Sequence, residues 1–214
     1  MDNTVKKTIA IIAIVIVVAV AIYGTYLPMR KAQIFIATLQ SLQGTPASSL
    51  QDLETRLAVP LDYPSPIGQE ELVRNMANSV LSFVQRGTDA TSTGALIDFL
   101  NTYYDPIIAR GRGMSFGQDL YLRGAINEIA FSHTGYARYL NASRDSYLEA
   151  HQLGPNRPQP LYGLFDVYRA MGDVTDTKMV ANQILMNWPS DQVVANALAQ
   201  FEATQASSTG SKGK

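Results

Sequence analysis

An all-α chain is predicted, with an N-terminal transmembrane helix followed by a solenoid of α-hairpins. Three observations predict it. Ile9 to Leu27 is a run of 19 residues without a charge. Beyond it, apolar residues recur at helical spacing, and no stretch alternates apolar and polar residues as a half-buried strand does. Two prolines, Pro155 and Pro189, stand 34 residues apart, and each closes one apolar helical run ahead of another.

Composition narrows the function classes. The 214 residues have room for one medium domain and an appendage. A net charge of −1 gives no basic stripe for a polyanion, so no nucleic acid partner is expected. Without cysteine there is neither a disulfide nor a thiolate metal site. The two histidines, His133 and His151, leave little material for imidazole chemistry. No cofactor and no metal are expected.

The first element is the uncharged run. Its 19 residues approach the roughly 20 that cross a bilayer. Ile, Val and Leu fill 11 of the positions and favour insertion by roughly 3 to 7 kcal/mol. Tyr23 and Tyr26 stand where an interfacial aromatic belt lies, with Lys6 and Lys7 at one end and Arg30 and Lys31 at the other. The reading is an uncleaved anchor over residues 9–27, with the rest of the chain outside. The competing reading is a signal peptide cut after Ala19-Val20-Ala21. Type IV pilins start with an apolar helix too, but no glycine precedes Ile9 and no acid lies between Asp2 and Asp52.

Pro28 suits the start of a new helix. Ala32, Phe35, Ile36, Leu39 and Leu42 then share one helical face, which Gly44 ends. A short helix follows a serine cap in "TPASSLQDLETRLAV", and "PLDYPSPIG" reads as a turn. The next helix turns Leu72, Met76, Val80 and Phe83 inward and stops at Gly87. "TDATSTG" reads as a polar loop, and the helix after it is expected to break or kink at Pro106. "GRGMSFG" (Gly111–Gly117) lacks the Lys-Ser/Thr ending of a phosphate loop and reads as a flexible joint. Helices are then expected over 119–133, 136–153, 159–170, 176–187 and 191–205. The divisions are 1–28 (anchor), 29–118 (irregular or degenerate repeats), 119–205 (repeats) and 206–214 (disordered tail).

The repeat has recognisable slots. Leu161, Leu164 and Tyr168 are large apolar residues of a first helix, Gly172-Asp173 the turn and Pro189 the close. Tyr147, Ala150 and Pro155 occupy the equivalent second helix of the preceding unit, and Leu198 and Ala199 begin a third. This pattern resembles the tetratricopeptide repeat family over residues 119–205. Phe165 and Thr177 replace smaller residues and Ala181 an aromatic, so the likeness is a divergent one. The longer order of apolar helix, "LPMRKAQIFIATLQ", "PSPIGQEELVRNMANSV" and repeats resembles the extracytoplasmic tail of bacterial O-antigen ligase/polymerase-like membrane proteins. The family's membrane-embedded catalytic residues have no counterpart in this chain.

The resemblance implies a concave groove lined by first helices. It places Glu128, Tyr162, Asp166, Arg169, Asn196 and Gln200 there, as a protein-binding surface without the Lys/Asn clamp for a C-terminal carboxylate. No nucleophile–base pair is legible, so no enzyme activity is expected. Asp98 and Asp105 read as solvated acids, His133 and His151 as helix-end residues, Trp188 as a packing residue and Asn141 as a weak glycosylation match. The expected function is a membrane-anchored extracytoplasmic scaffold for protein partners in cell-envelope or surface-polysaccharide assembly. The alternative is a self-associating filament subunit whose N-terminal helices form the filament core.

Overall fold

A computed structural model describes residues 2–84, 89–113 and 115–210. Every element among them is helical. The chain divides into two compact units, Met1–Val80 and Leu81–Lys214.

The first unit begins with α1 (Asn3–Ala21), which buries no residue. A π-helical turn, Ile22–Tyr26, carries it into α2 (Leu27–Gly44). The helix therefore does not restart at Pro28 but runs unbroken from Asn3 to Gly44, 42 residues. Pro28 has no N–H for the carbonyl one turn back, and the ladder adjusts just upstream. There the Leu27 N–H reaches the Ile22 oxygen, five residues back. Among the described residues one helix is thus long and apolar enough to cross a membrane.

The face of α2 differs from the expected one. Ile36 is exposed, while Lys31 is buried at 3% exposure. Lysine is almost never fully buried unless its charge is met. Here its ammonium donates to Leu61 O at 3.3 Å, to Tyr63 O at 2.8 Å and to the Gln69 side-chain oxygen. Two of these acceptors are carbonyls at the end of α3 (Leu50–Asp62), where free acceptors and the negative end of the helix dipole attract a cation.

At the other end of α3, the Ser49 hydroxyl accepts from the Asp52 N–H at 3.1 Å, and Asp52 accepts from the Ser48 N–H at 2.9 Å. The expected turn at Pro60 is instead the last turn of this helix. The proline costs one backbone bond but buries its ring beside Leu57 and Leu61. The turn falls later, around Gly68, whose φ is 89°. α4 (Gln69–Val84) buries Leu72, Val73, Met76, Ala77 and Val80, a stripe at helical spacing. The side chain of Phe83 and the stop at Gly87 lie outside the described residues.

The second unit is a run of helices joined by short turns: α5 (Ala90–Arg110), α6 (Phe116–Thr134), α7 (Ala137–Leu153), α8 (Pro158–Met171), α9 (Val174–Asn187) and α10 (Gln192–Gly210). Each packs on the next, and α6 also touches α8. The expected polar loop before α5 is its first turn. Asp89 accepts from the Thr91 and Ser92 N–H groups at 3.0 Å, and Thr93 behind them is fully buried. Pro106 does not break α5. Tyr104 and Ile107, 0% and 1% exposed on either side of it, pack both turns into the core.

Asp173 and Asp191 cap α9 and α10 in the same way as Asp89. Gly111, Gly135 and Gly172 end α5, α6 and α8 at φ of 65°, 71° and 71°, the left-handed close that glycine adopts without strain. In the expected joint, Gly111 is thus a helix cap and Phe116, 6% exposed, is already core; Met114 lies outside the described residues. Of the expected disordered tail, residues 206–210 continue α10. Alanine at 195, 197, 199, 203 and 206 gives that helix high intrinsic propensity. Residues 211–214 lie outside the described residues.

One packing device organises the second unit. Tyr147 on α7, 2% exposed, lies between Gly124 on α6 and Gly163 on α8. A Cβ on Gly124 would stand 2.5 Å from the ring, and one on Gly163 2.4 Å. Both contacts are closer than carbon atoms tolerate, so glycine at both places lets three successive helices close around one ring. The cluster continues through Leu161, Leu164, Phe165 and Tyr168 of α8 to Val180 and Ile184 of α9.

Candidate binding cavity

Beside this packed tyrosine, α6, α7 and α8 leave an open cavity of about 300 Å³. Tyr121 and Glu128 come from α6, seven residues apart and hence on one helical face. Tyr147 comes from α7; Pro158, Gln159, Tyr162, Gly163 and Asp166 come from α8.

The Tyr147 hydroxyl donates to the Glu128 carboxylate at 2.9 Å. Burial pushes the tyrosine far above its ordinary titration range, so it remains a donor. The Tyr121 ring lies 5.9 Å from the Tyr147 ring, tilted, a spacing at which aromatic pairs attract. Glu128 itself is pushed up, first by burial and then by the charge of Asp166, while the Tyr147 hydrogen bond opposes both. Asp166, with 52% of its side chain exposed, is also raised by the protein around its buried part, and Arg169 holds it down.

Two polar pairs frame the opening. Arg169 meets Asp166 at 3.0 Å and lies over the Phe165 ring, 5.1 Å from its centre. Tyr162 donates to the carboxylate of Asp191, which caps α10, and its ring sits 6.0 Å from that of Trp188. The hydrogen bond to Asp191 raises the Tyr162 pKa and lowers that of Asp191.

The structure brings Glu128, Tyr162 and Asp166 together in one cavity and puts Arg169 on its flank. Asn196 and Gln200 are exposed on α10 and do not line it. Tyr121 and Gln159 are absent from the groove expected from the sequence, and Tyr147 enters there only as a packing residue of the repeat. The two absent residues carried a signal: Tyr121 is seven residues before Glu128, and Gln159 is three before Tyr162. Asp98 and Asp105 pair separately, with Arg138 at 2.9 Å and Arg123 at 2.7 Å. His133 is exposed in the last turn of α6. His151 is half-buried in the last turn of α7, and burial lowers its pKa. Trp188 packs against the core, and Asn141 is exposed on α7. Among the described residues no group of three or more His, Cys, Asp or Glu is placed to hold a metal ion.

Compared with family models, curated proteins and solved structures, the chain matches none of them.

Proposed function

We propose that this protein is a membrane-anchored scaffold, with α1 crossing the bilayer and the helical units outside it, whose second unit holds protein partners. The observation that carries the reading is the open cavity where three tyrosines and two carboxylates meet. Tyrosine, rigid and amphipathic, is enriched where proteins bind one another. The helices around it follow one another as short-turned neighbours, which fits a tetratricopeptide-like stack, and cell-envelope or surface-polysaccharide assembly is the setting proposed for it. Fold alone does not assign function, so the reading stands on the cavity's chemistry. It does not include catalysis.

The test is partner capture from mild detergent by the full chain and by Tyr162→Ala combined with Arg169→Ala. The double variant is expected to keep its helical circular dichroism and melting and to lose the partners. A folded double variant that retains every partner overturns the reading. Protease applied to intact cells is expected to remove a C-terminal epitope; a protected epitope overturns the proposed orientation.

A second reading is favoured by one observation, the unbroken helix from Asn3 to Gly44 whose apolar first half is bare. Helices of that form bundle into filament cores. Fibres in negatively stained surface material would support this reading, and their absence would leave the scaffold.

A further inference from the structure

Two side chains lining the cavity carry formal charge, Glu128 and Asp166, and both are acidic. Neither lysine nor arginine lines it. Arg169 stands at the flank, drawn to Asp166 at 3.0 Å and held over Phe165. Among the described residues, Glu128 has one hydrogen-bond partner, the neutral Tyr147 hydroxyl, and no cation. A half-buried carboxylate without a counter-charge, beside a second one, is an electrostatic cost that an incoming cation removes. The walls suit the same guest. Tyr121 and Tyr162, both half-buried, present aromatic surface, which attracts ammonium and guanidinium groups. The cavity, about 300 Å³, has room for one long side chain.

We propose that this cavity takes a lysine or arginine side chain of the partner protein, held between Glu128 and Asp166 against the tyrosine rings. The proposal rests on the reading of this face as a partner-binding surface. An anion is disfavoured by the charge, and an aliphatic side chain would bury Glu128 without satisfying it.

The test uses the full chain in mild detergent and immobilised nine-residue glycine-serine peptides. Their central residue is arginine, lysine, norleucine or glutamate. Arginine and lysine peptides are expected to be retained about tenfold more strongly than norleucine peptides, with weakening as salt rises, and glutamate peptides not at all. Glu128→Gln keeps an acceptor for Tyr147 and is expected to lower that retention about tenfold. Asp166→Asn, which leaves the Tyr147 contact untouched, provides the same test if Glu128→Gln melts early. Equal retention of arginine and norleucine peptides, or unchanged arginine binding in either folded variant, overturns the proposal. If the Glu128 and Asp166 variants keep the co-purified partners while the Tyr162/Arg169 variant loses them, the surface stands and the cation pocket falls. If both keep them, the surface reading falls as well.

Discussion

α1 and α8 are both apolar helices, and they differ in what the apolar residues are for. α1 is apolar on every side from Ile9 onward and buries none of its 19 residues. α8 is apolar on one side and buries Pro160, Leu161, Gly163, Leu164, Phe165, Val167 and Tyr168 out of 14. An all-round apolar surface has no preferred partner within the chain and suits a uniform apolar solvent. A one-sided surface specifies a neighbour and an angle, because ridges must meet grooves. Hydrophobicity alone therefore does not measure a residue's contribution to the fold; the pattern decides it.

The same deletion made in both helices is expected to give the largest difference. Leu164, 1% exposed among Tyr147, Phe165 and Val180, is expected to cost on the order of 2–5 kcal/mol as Leu164→Ala. Ile14, 62% exposed, is expected to leave the melting temperature in detergent unchanged as Ile14→Ala. Thermal denaturation followed by circular dichroism reads both. Equal shifts would mean that α1 packs within the folded chain after all.

A smaller effect sharpens the role of pattern inside α8. Gly163→Ala gains up to about 1 kcal/mol of helix propensity. It also pushes a methyl to 2.4 Å from the Tyr147 ring, an overpacking that costs about 1–3 kcal/mol. The net expectation is a lowered melting temperature. Combining it with Tyr147→Leu should show non-additivity, the second change restoring part of what the first removed. A stabilised Gly163→Ala would show that α7 and α8 have slack.

The smallest effect is electrostatic. Burial raises the Glu128 pKa, with Asp166 adding to it and the Tyr147 bond opposing; Arg169, the nearby cation, acts on Asp166. An acid raised in the folded state binds its proton more tightly there than in the unfolded chain. Stability from this source is thus present at low pH and is lost as pH rises from the ordinary glutamate value through the raised one. Melting temperatures across that range are expected to fall for the wild type relative to Glu128→Gln. Parallel curves would show that the Glu128 charge carries no folding cost.

Much of the helical order was legible, because helical periodicity is written in every amphipathic segment and glycines and aspartates punctuate it. The misjudged places share a cause: a local rule was outweighed by burial. Pro60 and Pro106 carry a helix-breaking signal, yet their helices persist where Leu61, Tyr104 and Ile107 hold the flanking turns in the core. Thr93 and Gly94 look like loop residues and lie buried in the first turn of α5. Lys31 looks like a solvated charge and is enclosed by acceptors from residues 30, 32 and 38 positions away, which no local window contains.

The cavity followed the same division. Glu128, Tyr162 and Asp166 were reached by helical spacing and the 34-residue period. Tyr147 was assigned only to packing, because the two glycines that admit it belong to other helices. Asn196 and Gln200 were placed by the same repeat geometry, yet α10 contributes no side chain to the cavity lining.

The unbroken passage from α1 through the π turn into α2 has a mechanical consequence. At about 1.5 Å per residue, 42 residues make a rod of about 63 Å, roughly twice the thickness of a bilayer's hydrocarbon core. A joint between α1 and α2 would let α2 and α3 swivel like a tethered bead. A continuous rod, clamped at Lys31 to the end of α3, transmits the tilt and rotation of its apolar half directly. One residue added within the apolar stretch would turn α2 and the α3 packed on it by about 100° relative to the start of α1. If α1 is the proposed anchor, the lipid bilayer and the helix's own azimuth aim α2 and α3.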